Sequence, residues 1–577
     1  MAQEIHYEVY CRPGPKASWG LQDVAPTREA ALEMAQALLA DGRASSAKVT
    51  KETYSTDTGD YLSIKIFERG HSQSNSTAAV EDLPHALSCL KPEDLYRDHA
   101  RATIARLLTD YLSHNLLTVT EFMHRADALQ KFEATGTLFQ HAIQKLAVAQ
   151  AASTATPVQQ IVRNLNALVT EAIHRVYRDE HRGLFQKLEP GQFAMASQKF
   201  AGKSNGAYLL NGAIAGHLQF AKSWTEKIGR LLALTDEASG DAGGILLCRC
   251  LDSIAAEVLH TSVALHEMIG EHENLGSELE TLTDLFMGEV QVGIACGGTL
   301  LALSKHFAND RLSAARMAVM RRILAELKSV RRLCPSSLNE EFDVVKRIAG
   351  KLVRAEESYL NPAELIAAFV IRSRRAIIHE RIEEYLSDAG SPDDKLERLL
   401  QAENSIVGAG NKRRLASFIM PIIWSAGFES HFLFGRAPLL DRLRRLSALQ
   451  ARVLKSGFSD EKRAEIANVL DHIANELELR ANLFDGIETR ASSHVEKAIE
   501  VLSLCAGGVL TEGTLARRAR DLVLRYLGQP GFLSGYAMQI AAIGDSAPNP
   551  AAAMSRLMVL VDKAGIPPQV ALTSLAA

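Results

Sequence analysis

From Lys91 to the end of this 577-residue chain, apolar residues recur at spacings of three, four and seven with few breaks. That period matches an α-helix with one buried face and does not fit a strand, whose faces alternate every two residues. The clearest stretch follows Thr156-Pro157. Val158, Ile161, Val162, Leu165, Leu168, Val169, Ala172, Ile173 and Val176 make one stripe, with Pro157 suited to a helix start and Gly183 to a stop. Similar stripes run through residues 245–269, 312–333, 345–359, 363–387, 439–455, 461–482, 490–506 and 514–527. Thr118 and Glu121 have the spacing of a capping box ahead of a further apolar run. Aromatic residues are 6% of the chain and prolines number 17, which suits helices packed through Ala and Leu rather than sheets. No signature recurs at the periods of about 34 to 45 residues that mark the common helical solenoids.

The first 69 residues read differently. Glu4–Cys11 is β-prone, and residues 27–41 have a helix signature with Thr27 at the N-cap and Gly42 as the stop. Residues 47–54 are rich in β-branched and aromatic side chains, and Leu62, Ile64 and Ile66 alternate with Ser63, Lys65 and Phe67. Residues 55–60 between them have hairpin-loop chemistry. The fold class expected is therefore mainly α: a small N-terminal α+β module over residues 1–69, a polar linker over 70–90, then a large all-α helical bundle or irregular helical array. Two helical domains, 91–335 and 336–577, are placed on either side of Pro335-Ser336-Ser337, with residues 387–393 the other place for a break.

Composition narrows the environment. Lys plus Arg (64) nearly cancels Asp plus Glu (68), so a net charge of -4 gives no whole-molecule field toward nucleic acid or a membrane surface. Apolar runs fall far short of the ~18 to 20 residues that cross a bilayer. The opening MAQEIHYEVYCRPG has neither a basic flank nor an apolar stretch, so no signal peptide is expected. Seven scattered cysteines suggest no disulfide framework, and a cytoplasmic location is expected.

Three Glu-x-x-His pairs have the spacing used by di-iron bundles: Glu121/His124, Glu171/His174 and Glu257/His260. Such ligands must lie on the apolar stripe. Helical geometry turns Glu121, His124, Glu171 and His174 onto polar faces, puts Glu257 at a stripe edge and His260 beyond it, so all are expected to face solvent or its margin. His260, His266 and His272 are six apart and cannot share one helix face, and Cys248-Arg249-Cys250 lacks both the spacing and the second pair of a zinc site. Ser197–Ser204 matches a phosphate loop at Gly202, Lys203 and Ser204 but has Ser197 for the first glycine and no strand before it. Residues 407–414, VGAGNKRR, read as an interhelical turn that could also nest an anion. No metal or cofactor is expected on these grounds.

Charge is segregated along the chain. Between Cys250 and Ser304 stand nine acidic residues and no Lys or Arg, and the sign then reverses. Arg316, Arg321, Arg322, Lys412, Arg413, Arg414, Arg442, Arg444 and Arg445 are the candidate anion- or partner-binding residues, since a guanidinium fork suits carboxylates and phosphates. The bland reading is that neighbouring helices carry complementary charge. The functional expectation is a non-enzymatic cytoplasmic interaction or regulatory protein, a scaffold or adaptor whose helical grooves bind a protein partner. Two alternatives stand beside it: nucleic-acid or anionic-ligand binding through the basic helices after residue 305, and a metal-dependent enzyme with its site in the helical body.

Overall fold

The computed structural model of the protein describes residues 5–12, 20–40, 44, 46–54, 61–70, 89–154, 156–291, 297–355, 359–544 and 549–576. The fold is mainly α, with one small sheet close to the N-terminus. It divides into two compact units, residues 1–107 with 132–172, and residues 108–131 with 173–577.

In the first unit, β1 (Ile5–Arg12), β2 (Gly20–Ala25), β3 (Ser46–Tyr54) and β4 (Tyr61–Gly70) form an antiparallel sheet in the order β2-β1-β3-β4. The helix Arg28–Ala40 lies between β2 and β3 in sequence. Strand, helix and the two later strands stand where the residue pattern puts them, and β2 is an addition. Its sequence, GLQDVA, carries a single β-branched residue, so its strand geometry comes from pairing with β1 rather than from local preference. Ala31, Ala35 and Leu38 fall on one helix face and are buried with Val9, Ala25, Ala47 and Val49. Small side chains there let the helix backbone approach the sheet. A separate cluster of the same unit joins Ile143, Ala147, Ile161 and Leu165. The hairpin loop at 55–60 and linker residues 71–88 lie outside the described residues.

The second unit is helix packed on helix. The capping box at its entrance forms as expected: Glu121 N donates to Thr118 Oγ1 at 3.1 Å and Thr118 N to Glu121 Oε2 at 3.0 Å. Its apolar side chains gather into two clusters, one drawn from residues 193–369 and one from 376–571 together with Phe342. Leu247, Leu251, Ile254 and Val258 on the helix Ala242–His260 are fully buried, each worth about 2 kcal/mol of transfer from water.

Two of the long stripes are broken in the fold. Residues 245–269 divide at Thr261, which is extended and whose Oγ1 donates to Val258 O at 2.6 Å, giving Ala242–His260 and Ser262–Ile269. Residues 363–387 divide into Pro362–Ala376 and His379–Ser387 at Ile377 and Ile378. Ile377 is fully buried, so the corner itself needs an apolar residue and the stripe runs on through it.

Candidate functional site

The acidic block closes helix ends. The Asp252 carboxylate accepts from Ala314 N and Ala315 N, both at 2.9 Å, at the start of the helix Ser313–Leu327. Glu267 accepts from Trp224 N and Thr225 N at 3.2 and 2.9 Å at the start of Trp224–Asp236, and Glu257 accepts from Thr120 N at 2.9 Å at the start of Val119–His124. A carboxylate there meets unsatisfied N–H groups and the positive end of the helix dipole. Further along the block, Glu280 pairs with Arg347 at 2.5 Å, Asp284 with Lys351, and Glu289 with Arg354 at 3.1 Å, joining the helices Leu275–Met287 and Leu338–Leu352 and the turns after them.

Arginines do the converse at C-terminal ends. Arg311 Nη2 donates to Thr235 O at 2.7 Å, Arg398 Nη1 to Tyr385 O at 2.9 Å, and Arg520 Nε to Ala564 O at 3.0 Å. Arg372 is the fullest case. Its Nε, Nη1 and Nη2 donate to Leu327 O, Arg331 O and Glu326 O at 2.9, 2.7 and 2.5 Å at the end of Ser313–Leu327.

The nine candidate residues are placed separately. Arg316 donates to Phe286 O at 2.8 Å and lies over the rings of Phe286 and Tyr359. Arg322 pairs with Glu326 at 2.8 Å, and Lys412 with the Glu403 carboxylate. Arg442 donates to Phe432 O and Leu433 O at 2.6 and 3.1 Å, closing the helix Ala426–Leu433. Arg445 is held by Asp393 at 2.8 Å and Glu397 at 2.6 Å, and Arg444 meets Asp441 at 3.0 Å on the surface. Arg321, Arg413 and Arg414 are exposed, and their guanidinium groups make no hydrogen bond or ion pair with described residues. Gly408 opens the helix Ala409–Ile423 that carries the last two, at φ +98°, with Val370 Cγ2 3.1 Å from where a Cβ would stand.

Of the Glu-x-x-His pairs, Glu171 and His174 are exposed, as helical geometry requires, and His260 is exposed beside a half-buried Glu257. Glu121 and His124 are the correction: both are buried, not solvent-facing. All six residues of Val119–His124 are buried, so a short helix enclosed on every side has no polar face for the periodicity to find. Glu121 takes Lys227 Nζ at 2.5 Å and Arg125 Nη1 at 3.6 Å. His124 Nδ1 lies 2.7 Å from Thr120 O, with its ring against Phe185 and Tyr208. Burial pushes the Lys227 ammonium below its ordinary pKa, against the opposing pull of Glu121. The phosphate-loop likeness is split: Gly202, Lys203 and Ser204 stand in the turn before Gly206–Leu218, whereas Ser197 is buried within the helix Phe193–Ala201, and its Oγ donates to Ala194 O at 2.8 Å. Among the described residues no three His, Cys, Asp or Glu converge as metal ligands.

A cavity of about 220 Å³ opens where the start of Leu338–Leu352 meets His379–Ser387 and Arg398. Arg381, Glu341, Tyr385 and Cys334 are the buried part of its lining, and Arg332 and Glu384 stand at its mouth, 3.2 Å apart. Glu341 Oε1 meets Arg381 at 3.2 Å and Arg372 at 3.7 Å. Burial pushes the Cys334 thiol up to about 11, helped by Glu341, Glu340 and Glu280, and burial raises the Tyr385 phenol as well. Both stay protonated at neutral pH, so the lining offers polar contacts rather than a nucleophile. None of these residues stands out by spacing. Arg381 sits in HERIEEYL, where it reads as one more solvated charge.

The outer face of Ala409–Ile423 is the second candidate surface. Arg413, Ser417, Pro421 and Trp424 are exposed along it, Trp424 by 63% of its surface. Eleven residues separate Arg413 from Trp424, which brings them within about 20° around the helix and about 16 Å along it. Phe434, 69% exposed, follows after the next helix with Arg480 over its ring at 5.1 Å.

Comparison of the chain with protein-family models, curated proteins and solved structures finds no match.

Proposed function

We propose that the protein is a non-enzymatic interaction protein that binds an acidic segment of a protein partner on the outer face of Ala409–Ile423. The observation that carries this reading is that the exposed guanidinium groups of Arg413 and Arg414 make no hydrogen bond or ion pair among described residues and stand on the helix that ends at the exposed indole of Trp424. Arg and Trp are the side chains that most often dominate binding energy, and cations at one end of a helix with an aromatic about 16 Å away at the other suit an extended acidic segment with an apolar anchor. The contrast within the fold supports it. Arg316, Arg322, Arg442 and Arg445 are engaged by neighbouring groups, which leaves them little to offer a polyanion. No described helix is long and apolar enough to cross a membrane, and the described cysteines are free thiols, which supports work in a reducing, cytoplasmic compartment.

The test compares the full chain with Arg413→Glu/Arg414→Glu and with Trp424→Ala, each crosslinked in source lysate at moderate salt. A protein recovered by the parent and lost at least about tenfold by both variants supports the reading. Equal recovery by all three, or loss of a nucleic acid in its place, overturns it.

A further inference from the structure

We propose that the cavity beside Arg381 binds a small molecule through an oxyanion, a carboxylate or a phosphate group. The Arg381 side chain is 7% exposed and its Nη1 donates to Glu341 Oε1 at 3.2 Å. Its Nε and Nη2 meet no acceptor among the described residues, and Arg381 lines the cavity. Neighbouring Arg372, by contrast, gives all three of its nitrogens to carbonyl oxygens. A guanidinium buried by nine-tenths, with two nitrogens unengaged by the protein beside a cavity, suits an acceptor from outside.

Two more donors come from the helix that starts at the cavity. Ser337 Oγ takes Glu340 N at 3.3 Å, which leaves Leu338 N and Asn339 N, the first two amides of Leu338–Leu352, without a bond among described residues. The carboxylates of the lining do not compete for these donors. Glu341 is held on Oε1 by Arg381 and Arg372 and on Oε2 by Leu333 N at 3.2 Å, and Glu384 is held by Arg332. Asp388 is exposed at the mouth. Among the charged groups of the buried lining the open hydrogen-bonding capacity is therefore on the donor side, which is the complement of an oxyanion, while the open carboxylate oxygens of Asp388 and Glu384 stand at the exposed mouth. A volume of about 220 Å³ equals about seven waters, room for a molecule of a few carbons.

The test is calorimetric titration of the full chain at fixed ionic strength with inorganic phosphate and, separately, with acetate. Saturable binding of one probe is expected, and which probe binds distinguishes a phosphate ester from a carboxylate. Ser387→Glu, which sets a carboxylate at the exposed mouth, and Arg332→Gln should each weaken binding at least about tenfold with an unchanged circular-dichroism spectrum. Saturation by neither probe at tens of millimolar, or equal affinity in the parent and both variants, overturns the proposal.

Discussion

Lys227 Nζ stands 2.5 Å from both carboxylate oxygens of Glu121, and the two side chains, 106 residues apart in sequence, have 1% and 0% of their surface exposed. Removing Lys227 leaves the buried Glu121 carboxylate with Arg125, 3.6 Å away, as its remaining cation. Lys227→Met is therefore expected to lower unfolding free energy by about 3 to 5 kcal/mol, and adding Glu121→Gln should recover more than about 1 kcal/mol of it. Urea denaturation of parent, single and double variants measures the coupling, and strict additivity would contradict it.

Arg372 closes the end of Ser313–Leu327 with three nitrogens and faces Glu341. A lysine keeps the charge but cannot reach three carbonyls from one planar fork. Arg372→Lys should cost about 2 to 4 kcal/mol, read as a lower denaturation midpoint, and a neutral result would show that charge alone matters there.

Asp241 caps the helix Ala242–His260, and the hydrogen bond from Gly244 N, with those from Ser239 and Gln198, holds its carboxyl below the ordinary value of 3.8. A depressed carboxylate adds stability that is complete above its unfolded pKa and is lost as pH falls through the folded one. Asp241→Asn, which keeps a capping oxygen, should be less stable than the parent at pH 7, with the gap closing below about pH 4. Denaturation at pH 7, 5 and 3 checks this, and a gap constant across that range argues against it.

Gly513 adopts φ +141°, and a Cβ there would fall 2.3 Å from Asp471 Oδ2, the oxygen that accepts from Thr514 N at 2.6 Å. Gly513→Ala should cost about 2 kcal/mol or more, since it strains the backbone and displaces the cap of Thr514–Leu527. Gly508, at φ +63° with open space around it, is the control and should cost about 1 kcal/mol on the same change. Equal losses at the two sites would remove the steric part of the argument.

The Cys334 thiol, pushed up to about 11, is expected to react with iodoacetamide at pH 8 at least about a hundredfold more slowly than the half-buried Cys11. Mass spectrometry of timed alkylation resolves the two, and comparable rates would refute the burial account.

Fold class was legible because helical period is a local property. The stripe after Thr156-Pro157 became the helix Val158–His181, and the Thr118/Glu121 box formed. Corners were not legible. Ile377 and Thr261 carry no Gly or Pro signal, and their neighbours keep the apolar rhythm through the break. The candidate sites were legible only in part. Residues 407–414 gave Arg413 and Arg414, but whether a given arginine is free depends on which carbonyl end a distant helix brings to it, and no spacing within one helix encodes that. Glu121 went astray for the same reason: its surroundings come from Lys227, far along the chain.

The guanidinium groups seated on helix C-termini have a consequence for how this chain can change. Each such joint fixes where one helix must stop, because the last carbonyls have to arrive at a hand already extended by another helix. One added residue advances that end by about 1.5 Å and swings it by about 100°, so the lengths of the rods are metered by their neighbours. Point changes on outer faces leave this gauge intact, whereas single-residue insertions within Ser313–Leu327, Ala426–Leu433 or His379–Ser387 throw it out of step.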